Sequence, residues 1–120
     1  MEKTVLVKSL DFAVRIVRLY QYLTDKKKEF VMSKQLLRCG TSVGANLREA
    51  KYAQSTNDFI SKNSIALKEI AETEYWLELL YKTEYLSQAE FESIQADCAE
   101  IAKMLTAIVK TTKMNKENNC

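Results

Sequence analysis

The sequence predicts an all-α protein, an antiparallel up-down-up-down four-helix bundle, and three observations predict it. Its 120 residues contain no proline and only two glycines, so almost nothing interrupts a helix. Apolar residues recur at steps of three and four in four separate stretches. The connectors between those stretches are short and polar, which makes consecutive helices antiparallel neighbours. The length is that of one domain. With 47% hydrophobic and 28% charged residues the chain is too apolar for disorder. A core of this size is modest, and leftover apolar surface favours self-association.

The first helix is expected from Leu10 to Leu23, with Phe12, Ile16, Leu19, Tyr20 and Leu23 inward and Asp11, Arg15 and Arg18 opposite. Val14 and Val17 fall outside that stripe and predict a second buried side. Thr24 to Glu29 reads as a polar connector. The second helix is expected from Val31 to Ala53, its apolar and small positions being Leu36, Leu37, Gly40, Val43, Gly44 and Leu47. Two glycines four residues apart inside a helix each cost about 1 kcal/mol relative to Ala, which points to a close approach by another helix or to a local kink.

Ser55 and Asp58 have the spacing of a helix start, a hydroxyl cap followed by a carboxylate. The third helix then runs to Glu84 with Phe59, Ala66, Ile70, Thr73, Leu77 and Leu80 in one seam and Ile65, Trp76 and Leu79 beside it. Ser87 and Glu90 form a capping box that opens the fourth helix, expected to end at Thr111. Its seam is Phe91, Ile94, Cys98, Ile101, Leu105 and Ile108. The bundle therefore occupies residues 1–112, and 113–120 is expected as a flexible polar tail.

Each catalytic template lacks a part. There is no histidine, which removes Glu-x-x-His di-iron sites, Ser-His and Cys-His nucleophiles, and bundle ribonucleases built on an Arg-His pair. No glycine-rich phosphate loop occurs, because Gly40 and Gly44 lie within a helical pattern. Cys39, Cys98 and Cys120 are scattered without metal-knuckle spacing and read as reduced structural thiols. No enzyme activity, catalytic residue, metal or cofactor is expected. No apolar run approaches the roughly 20 residues of a membrane span, and the start of the chain does not resemble a signal peptide, so a cytoplasmic protein is expected.

Charge is unevenly distributed. Residues 1–62 hold 12 Lys or Arg against 6 Asp or Glu, a net +6, and residues 63–120 hold 6 against 10, a net −4. A basic face built from Arg15, Arg18, Lys26, Lys27, Lys28, Lys34, Arg48, Lys51 and Lys62 would suit phosphates, with salt-sensitive and sequence-poor binding. The same residues also read as ordinary solubilising charge, or as partners for the acidic half of a neighbouring subunit. Gln35, Arg38, Ser42, Asn46 and Glu49 line a single stripe of the second helix, and Glu69 and Glu72 lie three apart on the third. Three readings stand for that set: a solvated face, a polar network in which Arg38 pairs with a carboxylate across a helix or subunit interface, or a nucleic-acid contact. A catalyst built on Arg38, Glu49, Glu69 and Glu72 is a weaker alternative.

The stretch from Gln35 to Ala50, with Asp58-Phe59-Ile60 and Ile65 to Leu77, resembles the four-helix-bundle proteins encoded in intervening sequences of 23S ribosomal RNA genes, often labelled ribosomal proteins. Matching positions are Gln35, Arg38, Ser42, Gly44, Asn46, Glu49, Phe59, Ala66, Glu69, Glu72 and Trp76, while Cys39 stands where many members carry a small residue. The resemblance implies an antiparallel bundle assembled as a ring, a homopentamer. It also implies a distant relation to the accessory protein of diversity-generating retroelements, which works with a reverse transcriptase and nucleic acid. It implies no established biochemical activity. Two expectations follow: a non-enzymatic ring-forming protein that binds RNA or another nucleic acid through a basic surface, or a protein-interaction scaffold whose basic and acidic halves mediate self-assembly.

Overall fold

A computed structural model describes residues 3–118 as four helices: α1 (Val5–Asp25), α2 (Met32–Lys51), α3 (Thr56–Lys82) and α4 (Gln88–Asn118). Each packs on its neighbours in chain order, and α1 closes the bundle against α4 with the slightest of the four contacts. The expected seams meet in the centre: Phe12, Ile16 and Leu23 of α1, Leu36, Val43 and Leu47 of α2, Ile70, Leu77 and Leu80 of α3, and Ile94, Ile101 and Leu105 of α4 are all buried. Ser87 and Glu90 make both capping-box bonds, at 2.8 and 3.1 Å. Ser55 Oγ caps α3 by accepting from the Asp58 N–H at 3.0 Å.

The ends of α2 and the end of α3 fall within two residues of expectation, and three departures elsewhere have a local reason. First, α1 starts at Val5 rather than Leu10, because the Thr4 hydroxyl caps it by accepting from Val7 N–H at 3.2 Å. Second, Thr24 and Asp25 belong to α1, and Glu29 is not a connector residue in solvent: it is buried and its carboxylate accepts from the N–H groups of Val31, Met32 and Ser33 at 3.0, 2.8 and 2.7 Å. Burial pushes the Glu29 pKa up, and those N–H bonds outweigh it and hold the group below its ordinary value. Third, α4 continues to Asn118, so residues 113–118 are helix rather than the expected frayed tail. They lie alongside the first turn of α3, where the Lys116 ammonium meets the Asn57 side chain.

Within the continuous helix α2, Gly40 marks a close approach, whereas Gly44 has ordinary room. A Cβ at Gly40 would lie 2.8 and 2.9 Å from Cγ1 and Cγ2 of Ile16, and one at Gly44 would lie 3.4 Å from Ser9 Oγ. The backbone of α2 therefore sits directly against α1. The second side of α1 is not covered in the chain as predicted: Val14 and Val17 are 44% and 38% exposed, and Val7 and Leu10 continue the same stripe at 45% and 53%.

Candidate nucleic-acid interface

The nine basic candidates do not form one face. Lys26, Lys27 and Lys28 occupy the α1–α2 connector and Lys34 the start of α2, all exposed and, among the described residues, none paired with a carboxylate. Arg48 and Lys51 lie in the last turn of α2, roughly 25 Å away along a helix that rises about 1.5 Å per residue. There the unpaired carbonyls at the helix end favour cations. Lys27 Nζ lies 5.9 Å from the Tyr22 ring centre and Lys51 Nζ 5.5 Å from that of Tyr52.

Two candidates are committed elsewhere. Arg15 bridges the α1–α4 seam, donating to Asp97 Oδ2 at 2.6 Å and to Ser93 Oγ at 3.0 Å. Lys62 lies 3.9 Å from Glu49. Lys8 and Glu100 make a further ion pair across the α1–α4 seam. Complementary charges of the basic and acidic halves thus meet within one chain. Beside Arg15, the α1–α4 seam opens into a groove of about 510 Å³ floored by Leu19, Tyr22, Leu86 and Ile94, with exposed Arg18 on its edge.

The polar stripe of α2 runs along the edge that faces α3. Glu49 opposite Lys62 and Cys39 opposite Thr73 set the antiparallel register, which puts Ser42 level with Glu69 and Arg38 level with Thr73 and Glu74. Asn46 Nδ2 donates to the Ser42 carbonyl at 2.9 Å, and Trp76 Nε1 to Glu72 at 3.1 Å. Gln35 and Glu69 are half-buried without a side-chain partner, and Arg38 is exposed and pairs with no carboxylate. The predicted Arg38–carboxylate pair is therefore not formed among the described residues.

Beneath that rim the Thr73 hydroxyl donates to the Glu69 carbonyl at 2.8 Å and lies 3.3 Å from Cys39 Sγ. Burial, joined by the nearby Glu72 and Glu69 carboxylates, raises the Cys39 pKa to about 11 against the Thr73 contact. Burial and Glu74 push Cys98 up further. Both thiols stay protonated at neutral pH and cannot act as thiolate nucleophiles. Cys120 lies outside the described residues. Among the described residues no three His, Cys, Asp or Glu side chains gather as a metal site, and no helix is long and apolar enough to cross a membrane.

Sequence reasoning missed Glu29, Phe30 and Val31. Glu29 reads as one more polar connector residue, yet it is buried while Phe30 and Val31 beside it are 59% and 74% exposed. The only signal was a carboxylate within four residues of three successive amide groups at a helix start.

Comparison with known proteins agrees with the architecture. Residues 1–107 match the family described as 23S rRNA-intervening sequence protein. No curated protein matches. A crystal structure of a protein with unknown function from the S23 ribosomal protein family of Bacteroides thetaiotaomicron VPI-5482 superposes with a TM-score of 0.89. It shares 62% sequence identity, and the match covers 89% of this chain and 99% of that one.

Proposed function

The chain belongs to the 23S rRNA-intervening sequence protein family, and on that premise we propose that it is a non-enzymatic, self-assembling helical protein that binds RNA or another nucleic acid. The observation that carries this reading is the sorting of its cations. Arg18, Lys26, Lys27, Lys28, Lys34, Arg38, Arg48 and Lys51 are exposed on α1, the connector and α2 and, among the described residues, have no carboxylate partner, whereas Lys8 and Arg15, which face the acidic first half of α4, are paired. Unpaired cations release counterions from a phosphate backbone and give affinity without sequence readout.

Self-assembly rests on α1. Val7, Leu10, Val14 and Val17 are spaced 3-4-3, the spacing of a helix–helix seam, and among the described residues they stay 38–53% exposed. A second copy is the occupant we propose, in a ring whose number, five, is the one the resemblance implies. The partly complementary charges already met within the chain leave the purely electrostatic scaffold less to explain.

Light scattering coupled to gel filtration, followed by titration of a structured RNA at low and moderate salt, tests both halves. We expect a multimer that Leu10→Lys with Val14→Lys converts to helical monomer, and RNA affinity that falls steeply with salt. Failure to bind RNA at low salt, or a wild-type protein that is monomeric at high concentration, overturns the corresponding half.

A further inference from the structure

The connector between α1 and α2 turns the usual arrangement inside out. Its one acidic residue, Glu29, is buried, and its aromatic residue, Phe30, stands in solvent. This is not fraying. Lys26 N–H donates to the Tyr22 carbonyl at 2.9 Å, Glu29 N–H to the Leu23 carbonyl at 2.9 Å, and the Ser33 hydroxyl to the Glu29 carbonyl at 2.8 Å. With the Glu29 carboxylate locked onto the first amides of α2, the backbone is pinned on both sides of Phe30 and aims that ring outward. Lys28 holds a left-handed backbone, φ 55°, to make the turn. Lys26, Lys27 and Lys28 precede the ring in the same connector and Lys34 follows it at the start of α2, all exposed and, among the described residues, without carboxylate partners.

We propose that this knuckle grips unpaired nucleotides, with Phe30 stacking on a base and Lys26, Lys27, Lys28 and Lys34 taking the flanking phosphates. The inference rests on the nucleic-acid reading above and adds the site and the class of nucleic acid to it. A rigid aromatic ring set among cations is what single strands require: every base offers a face to stack on, and the phosphates on either side supply the charge. Paired bases in a duplex keep their faces stacked on one another, so the ring has nothing to meet there. A membrane is the other polyanionic surface that a basic apolar tip can suit. Here the apolar part is Phe30 and Val31 alone, less than a single acyl chain, which by itself gives only marginal anchoring.

The test is fluorescence anisotropy of the full-length protein with a labelled mixed-sequence single-stranded RNA of about a dozen nucleotides and the matching duplex, a length that spans one stacking site. We expect the single strand to bind more tightly than the duplex. Phe30→Ala should weaken single-strand binding about tenfold or more, the size a single lost stack produces, while Phe30→Trp keeps it. Lys26→Glu with Lys27→Glu should weaken binding and flatten its salt dependence, and Lys110→Glu on α4 should leave it unchanged. Circular dichroism of each variant confirms the bundle, and Phe30 is exposed enough for its removal to leave the core intact. RNA binding that survives both knuckle variants overturns this inference and leaves the nucleic-acid reading standing. Absence of RNA binding by the wild-type protein at low salt overturns both. Phe30-dependent sedimentation with phosphatidylserine vesicles, in a protein that shows no single-strand preference, assigns the knuckle to a membrane and overturns it as well.

Discussion

Adding one methyl group at Gly40 and one at Gly44 should move stability in opposite directions. At Gly40 the new Cβ would lie 2.8 and 2.9 Å from Ile16 Cγ1 and Cγ2. Both atoms are bonded to the Ile16 Cβ, so no rotamer swings them away together, and Ile16 has no exposed surface into which to shift. α1 must move as a whole. Overpacking of this kind costs roughly 1–3 kcal/mol, here at the upper end because two contacts are violated at once. Alanine returns about 1 kcal/mol of helix propensity, leaving Gly40→Ala destabilised by about 2 kcal/mol. At Gly44 the nearest atoms are Ser9 Oγ at 3.4 Å and Ser9 O at 3.5 Å, ordinary contact distances. There the propensity gain stands and Gly44→Ala should be stabilised by about 0.5–1 kcal/mol. Urea unfolding followed at 222 nm reads both, and with a slope of roughly 2 kcal/mol per molar the Gly40→Ala midpoint should fall by about 1 M. All proteins are compared at one concentration, since assembly makes apparent stability depend on it. Ile16→Ala in the Gly40→Ala background should cost at least about 1 kcal/mol less than in the wild-type protein, because the clash is gone. A Gly40→Ala protein as stable as wild type would refute the argument from close approach.

The Glu29 cap predicts a pH dependence. Its folded pKa lies below the unfolded value, so its contribution is present above the ordinary carboxylate range and is lost as pH falls through the folded value. Glu29→Gln should therefore be less stable than wild type by about 1 kcal/mol at pH 7, with the gap closing toward pH 3. A gap of equal size at both pH values contradicts this. In a Cys120→Ser protein at pH 8, Ellman's reagent should find neither Cys39 nor Cys98 until denaturant is added, because both are buried and protonated. A fast-reacting native thiol would show that one of them is reached by solvent. Glu84, two residues past α3, takes a left-handed conformation, φ 71°, next to the Tyr85 N–H bond to the Leu80 carbonyl at 2.9 Å. Glycine suits that position best, and Glu84→Gly should raise the urea midpoint by the equivalent of about 0.5–1 kcal/mol. An unchanged or lower midpoint counts against the strain.

Much of this molecule was determined by local sequence. The seam of α4 and the capping box at Ser87 need only residues three and four apart to agree, so spacing alone predicts their roles. The same holds for the Ser55 start of α3 and for the buried stripes of α2 and α3. A glycine pair inside an otherwise favourable helix likewise pointed to close packing before its partner was known. What spacing cannot do is say which helix a face meets. Arg15 and Lys62 read as free cations because their partners, Asp97 and Glu49, are distant in sequence and only the bundle brings them near. Arg38 has carboxylates across from it on α3 and, among the described residues, pairs with none of them, which helical period alone does not foresee. Val14 and Val17 read from the sequence as a second buried side, whereas the assembled bundle leaves them exposed, because spacing marks an apolar face without saying whether α2 or α4 reaches it. The Glu29–Phe30 inversion likewise required three dimensions, because a residue's hydropathy states what burial would gain and not which way a pinned backbone points it.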